Sequence, residues 1–149
     1  MKYLLDTNTC IRFLNGTSER IRQQIEAREA RDLALCSIVK AELVYGAQKS
    51  ARPQRNLARL RPFFRRFVSL PFDDAAADTY GELRARLERA GMPIGPNDLC
   101  IAAIAKANDL VLVTHNVGEF QRVGDLRLED WQEQPQLGHE NDQPHSPAT

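Results

Sequence analysis

An alternation along the chain most constrains what it can fold into. Short apolar runs at Lys2–Leu5, Leu33–Cys36, Phe67–Leu70 and Leu110–Thr114 are separated by stretches whose apolar residues recur at helical spacing. Parallel strands need long crossovers, and the usual crossover is a helix, so the pattern predicts a parallel sheet covered by helices. Ser18–Arg31 places Ile21 and Ile25 four apart. Ser37 is positioned to cap Ile38–Gln48, where Leu43 and Ala47 repeat at the same interval. Asp74–Ala90 is a long amphipathic segment closed by Gly91 and Pro93. In Asn97–Asn108, Asp98, Ile101, Ala102 and Ala105 share one face, and the small alanines let that helix lie close to a sheet. The expected fold class is α/β, with a central, mainly parallel sheet of four to five strands.

A chain of 149 residues is one domain with room for a real core. The folded part is expected to span residues 1–131. The polar segment 132–149 carries Pro135, Pro144 and Pro147 without apolar periodicity and is expected to be a disordered tail. Twenty basic residues balance 20 acidic ones, which excludes a nonspecific DNA coater but not an enzyme with a local basic surface. No apolar run approaches the roughly 20 residues that span a bilayer, and the N-terminus lacks a signal-peptide pattern. Cys10, Cys36 and Cys100 form an odd set without CxxC or Cys/His spacing, which reads as free thiols in a reducing cytoplasm.

Three acids stand where an apolar run gives way to a helix. Asp6 follows Tyr3-Leu4-Leu5, Glu42 lies about a turn into the helix after Leu33–Cys36, and Asp98 follows the rigid Pro93-Ile94-Gly95-Pro96-Asn97. Each has an ordinary explanation. Asp6, Thr7 and Asn8 are all good caps for a short helix Thr9–Leu14, an acid near a helix start suits the macrodipole, and Glu42 is a good helix former. Jointly they say more, because ligands of parallel sheets sit at the carboxyl ends of the strands, where all three can meet. Clustered carboxylates repel one another, and a hard divalent cation completed by water and phosphate relieves that. A phosphatase of the haloacid-dehalogenase type needs a second aspartate where this chain has Asn8. Gly46, Gly91, Gly95, Gly118 and Gly124 are isolated, so there is no phosphate-cradling loop. A fourth corner lies in Thr114-His115-Asn116. Asn116 can offer its carbonyl oxygen to a metal-bound water or to the metal, Thr114 can support by hydrogen bonding, and Glu119 is a further candidate. The same tripeptide also reads as a plain polar turn. From Lys49 to Arg66 the chain carries seven cations, Lys49, Arg52, Arg55, Arg59, Arg61, Arg65 and Arg66, and no acid. That is either an RNA-binding edge or the solvated face of a helix whose Leu57, Leu60, Phe63 and Phe64 turn inward.

The ordered set Leu4-Leu5-Asp6-Thr7-Asn8, Ala41–Ser50, Gly95-Pro96-Asn97-Asp98 and Val113–Phe120 resembles the PIN-domain ribonucleases, and more narrowly the VapC toxins of bacterial type II toxin–antitoxin systems. The resemblance runs from Lys2 to about Trp131. It implies a PIN-like three-layer fold with an acidic pocket for Mg²⁺, Mn²⁺ being possible. The metal-binding acids fall on Asp6, Glu42 and Asp98, and a fourth catalytic position on Asn116, where many relatives carry aspartate. Thr114 and Asn8 are supporting residues, and His115 stands where close relatives often have asparagine. The subset with this wording resembles toxins that cut the anticodon loop of initiator tRNA and inhibit translation. It implies a VapB-like antitoxin partner and a homodimer. Of the cationic run, Lys49, Arg52, Arg55 and Arg59 are the candidate RNA contacts, and no membrane association is expected. Apolar faces near Ile11, Phe13, Leu14, Ile21 and Ile25 are candidates for the antitoxin's groove. The competing readings are a housekeeping PIN nuclease of RNA maturation and a noncatalytic RNA-binding or interaction module.

Overall fold

A computed structural model describes residues 1–132. The chain runs β1 (Tyr3–Leu5), α1 (Thr7–Asn15), α2 (Glu19–Glu26), β2 (Leu33–Cys36), α3 (Ser37–Lys49), α4 (Pro53–Arg66), β3 (Val68–Leu70), α5 (Asp74–Arg89), α6 (Pro96–Ala107), β4 (Val111–Val113), α7 (Val117–Phe120) and β5 (Leu128–Glu129). The strands form one sheet in the order β3-β2-β1-β4-β5, with every neighbouring pair parallel. The α/β fold and its parallel sheet of five strands are therefore as expected.

The strand order positions the site. From β1 the chain winds outward through β2 to β3, then returns to the opposite side of β1 for β4 and β5. The winding direction reverses beside β1, and the crevice outside the carboxyl ends of the strands at such a switch point is where open parallel sheets bind ligands. Register fixes which side chains arrive there: Leu5 pairs with Val113 and Cys36 with Leu70. The strands are short and almost wholly apolar because helices cover both faces, and Leu4, Leu5, Leu33, Leu35, Leu112 and Val113 have no exposed surface.

Several boundaries differ from expectation for local reasons. Helix α1 starts at Thr7, not Thr9, because Asp6 alone is its cap: Oδ1 accepts the Thr9 N–H at 2.8 Å. Ser37 is not a cap. It already lies inside α3, Cys36 holds the cap position, and the Ser37 hydroxyl accepts the Phe72 N–H at 3.3 Å. The stretch 18–31 is not one helix: Ser18 caps α2, which stops at Glu26, and a 3₁₀ turn at Ala30–Asp32 then feeds β2. In α6, residues 101–105 are all buried, more than one face, because α5 packs on the side away from the sheet. Strand β5 had no apolar run to announce it, and it exists through its pairing with β4, Leu112 opposite Leu128. Just beyond it Trp131 packs edge-on against Tyr3 at 5.2 Å, with the Arg28 guanidinium over both rings.

Cys10 and Cys36 are buried and Cys100 is half-buried, all as free thiols. No helix among the described residues is long and apolar enough to cross a membrane. Of the segment 132–149, expected to be a tail, residues 133–149 lie outside the described residues.

Because β4 is three residues long and Leu112 fills the middle of the sheet, Leu112→Ala is expected to cost about 3 kcal/mol of stability. Ile11→Ala, at a position 40% exposed, is expected to change it by less than about 0.5 kcal/mol. Urea unfolding followed by circular dichroism measures both.

Candidate active site

Asp6 leaves the end of β1 directly at the switch point. Its N–H donates to the Val113 carbonyl at 3.1 Å, which continues the β1–β4 ladder one residue further. The carboxylate is only 6% exposed. Burial holds its carboxyl above the usual range, and hydrogen bonds from Thr114 and Thr9 work in the opposite direction. The Thr114 hydroxyl in turn accepts the Asn116 N–H at 3.0 Å, so this buried threonine links Asp6 to the turn after β4. Thr114 is thus where a supporting residue was expected. Asn8 is exposed in the first turn of α1 and makes no hydrogen bond to the acids.

Glu42 comes from the second turn of α3, where the Thr7 hydroxyl donates to its Oε1 at 2.9 Å. That bond joins the start of α1 to α3 and aims the carboxylate at the sheet edge. Asp98 sits in the first turn of α6, behind Pro96. It is half-buried, and its carboxyl is pushed up to about 6, by burial first and then by the negative charges of Glu119, Glu42 and Asp6. The three expected acids do converge, and a fourth acid joins them.

That fourth carboxylate is Glu119, in α7. Its Oε1 accepts the Gly95 N–H at 3.2 Å, and its Oε2 accepts Asn116 Nδ2 at 2.8 Å. Asn116 is exposed at the cap position of α7 and acts on the acid group by holding Glu119. The signal was visible in sequence as the one-turn spacing from Asn116 to Glu119. Asp130 carried no such signal. It follows β5, its charge bears on Asp6, and its Oδ2 lies 2.9 Å from His115 Nδ1.

Among the described residues none of Asp6, Glu42, Asp98 and Glu119 forms a salt bridge. The cluster is thus negative charge in a partly desolvated crevice with no built-in countercharge. Among the described residues, no three acidic, histidine or cysteine side chains are disposed to enclose a cation unaided. Carboxylate oxygens are the donor type that Mg²⁺ takes, with water filling its remaining positions.

On α1, α3 and α4 a cavity of about 250 Å³ opens beside the acids, lined by Ile11, Leu14, Glu42, Leu43, Arg59 and Leu60 among others. Of the residues expected along a groove, Ile11 and Leu14 line it. Ile21 and Ile25 are fully buried in the core, and Phe13 packs on Phe63 at 5.8 Å. Of the expected cationic edge, Lys49 ends α3, Arg52 occupies the cap position of α4, and Arg55 and Arg59 project from α4, all exposed. Arg59 also donates to the Leu14 carbonyl at 2.7 Å.

The PIN domain model matches residues 3–126. The chain is 44% identical to the tRNA(fMet)-specific endonuclease VapC of Salmonella typhimurium over 131 residues, 88% of this chain and 98% of that protein. It is 40% identical to ribonuclease VapC2 of Rickettsia felis over 132 residues, again 88% and 98% of the two chains. Among solved structures, DNA-bound VapBC from Salmonella typhimurium superposes with a TM-score of 0.83 at 44% identity, covering 88% of this chain and 98% of that one.

The raised Asp98 carboxyl has a consequence for stability. The folded chain keeps the proton up to about pH 6 while the unfolded chain loses it near 3.8, so folding stability falls as pH rises through that window. Asp98→Asn removes the charge without changing the shape. In EDTA at pH 7.5 it is expected to raise Tm by about 3 °C, from about 1 kcal/mol after allowance for solvent screening. The gain is expected to vanish near pH 3.5. Calorimetry across the pH range reads this.

Proposed function

From the premise that the chain belongs to the PIN-domain family, and within it to the VapC ribonucleases, we propose that it is a Mg²⁺-dependent endoribonuclease toxin of a type II toxin–antitoxin system, cleaving initiator tRNA in the anticodon loop and so inhibiting translation. One observation carries the reading: four carboxylates meet at the switch point of the sheet, and their mutual field falls on Asp98 without a countercharge. The choice of tRNA rests on the relative whose name specifies it. In this reading residues 1–131 are the nuclease domain.

Asp6, Asp98 and Glu42 would hold the metal, and Glu119 would complete the acidic ring. When bound, Mg²⁺ supplies charge stabilisation at the phosphate and a more acidic water. The protein's own part is positional. Asp6 is fixed by the Thr9 N–H and by Thr114, Glu42 by Thr7, and Glu119 by Gly95 and Asn116. Such second-layer hydrogen bonds hold ligands in orientation before the ion arrives. Thr114 and Asn116 are therefore read as positioning residues, and Asn116 would act on a bound metal through Glu119. The exposed Lys49, Arg52, Arg55 and Arg59 offset the repulsion that an RNA phosphate meets at four carboxylates, and binding through them weakens with salt. The cavity between α1, α3 and α4 is a fitting seat for an apolar segment of a VapB-like antitoxin, beside Glu42, where occupancy would also block RNA. The active unit is read as a cytoplasmic homodimer.

Incubating total tRNA with purified wild-type chain in Mg²⁺, then sequencing new ends, tests this. The expected result is cuts confined to the initiator tRNA anticodon loop, abolished by EDTA and reduced at least about 100-fold by Asp6→Asn. Asn116→Ala is expected to cost about 10-fold, as loss of an orienting contact does. Cutting that survives both EDTA and Asp6→Asn contradicts the reading.

A further inference from the structure

Among the described residues every phenylalanine, tyrosine and tryptophan ring but one is buried or half-buried; Tyr45 is 65% exposed. It lies on α3 three residues past Glu42, and Lys49 follows four residues later. Spacings of three and seven put all three on one stripe of the helix, with Tyr45 about 4.5 Å and Lys49 about 10 Å along the axis from Glu42. The Lys49 ammonium stands 5.8 Å from the centre of the Tyr45 ring. Neither residue lines the cavity on the other flank of Glu42. An acid, an open ring and a cation thus follow one another outward from the site.

The end of this stripe is held in place. The Ser50 hydroxyl donates to the Ala47 carbonyl at 2.6 Å, and Asn56 Nδ2 donates to the Ser50 hydroxyl at 2.7 Å, so the corner between α3 and α4 is tied to both helices. Arg52 and Arg55 lie just beyond it, exposed and without ion pairs among the described residues. A ring left in water beside cations, at the mouth of a phosphodiester site, suits a single-stranded nucleic acid, whose unstacked bases offer faces and whose phosphates offer charge.

We propose that Tyr45 and Lys49 form a nucleotide-binding platform on α3, the ring stacking on a base and the ammonium contacting a phosphate of the RNA strand that leads to the acids. This rests on the ribonuclease reading of those acids and adds the residues that align the strand. Stacking tolerates any base, so the platform supplies binding and register, while discrimination among RNAs belongs to other contacts.

The test is steady-state cleavage of a fluorescein-labelled RNA stem-loop by wild type, Tyr45→Ala, Tyr45→Trp and Lys49→Ala. Melting curves and light scattering on each variant report fold and assembly. Tyr45→Ala is expected to raise KM about 10- to 100-fold with kcat nearly unchanged, and Tyr45→Trp to restore it. Lys49→Ala is expected to lower the slope of log affinity against log salt by about 0.7. A wild-type KM in Tyr45→Ala overturns the platform. So does a change of molecular mass in that variant, which would place a second copy of the chain on this face. A wild-type chain that cuts no RNA overturns the ribonuclease reading itself, and the platform falls with it.

Discussion

The pairing of β1 with neighbours on both sides is the interaction on which the rest of the structure depends. Tyr3 and Leu4 pair with β2 on one side, and Tyr3 to Leu5 pair with β4 on the other. Leu4 and Leu5 have no exposed surface, so their burial and the two ladders reinforce each other. Because the chain changes its winding direction there, the residue after β1 is delivered into a crevice. That residue is Asp6, and the same geometry brings Thr114 from β4 against it. Burying a carboxylate at this point opposes folding, and the Thr9 and Thr114 bonds offset only part of that cost. The fold is stable enough elsewhere to hold it.

The same crevice gathers further negative charge. Asp98 bears the combined field of three other carboxylates, and none of the four is neutralised by a nearby lysine or arginine among the described residues. In the proposed reading such a site would favour a hard cation and would repel an RNA phosphate without one. The cationic residues lie outside it, from Lys49 onward, where in the proposed reading they would attract phosphates without quenching the acids. Glu42 stands between two surfaces, with an apolar cavity on one flank and the Tyr45–Lys49 stripe on the other. An inhibitor seated on the first and a substrate seated on the second would both arrive at the same carboxylate.

Much of this was legible in the chain itself, because apolar periodicity reports burial directly. Leu33–Cys36 has the limits its composition implies, and α6 follows from its alanines. Asp6, Glu42 and Asp98 could be placed together because parallel strands end on one edge. Ser37 misled, since a good capping residue and a residue that bonds across to Phe72 look the same in one dimension. Strand β5 and Asp130 were silent because two residues carry no period, and only pairing with β4 makes them a strand. Glu119 reads in sequence only as a further candidate, because the Gly95 N–H that holds it is distant in sequence. No pattern could single out Tyr45, since exposure is a property of the folded surface.

If the four carboxylates form one divalent-cation site, protonation of Asp98 partly suppresses its charge. Calorimetric titration of the metal-free chain with Mg²⁺, repeated in buffers of different ionisation enthalpy, measures bound ions and released protons together. Since the Asp98 carboxyl is pushed to about 6, binding at pH 6 should release about half a proton per ion. Release should vanish by pH 8, and Asp98→Asn should bind far more weakly. Binding at pH 6 without proton release, or full affinity in Asp98→Asn, would contradict the account.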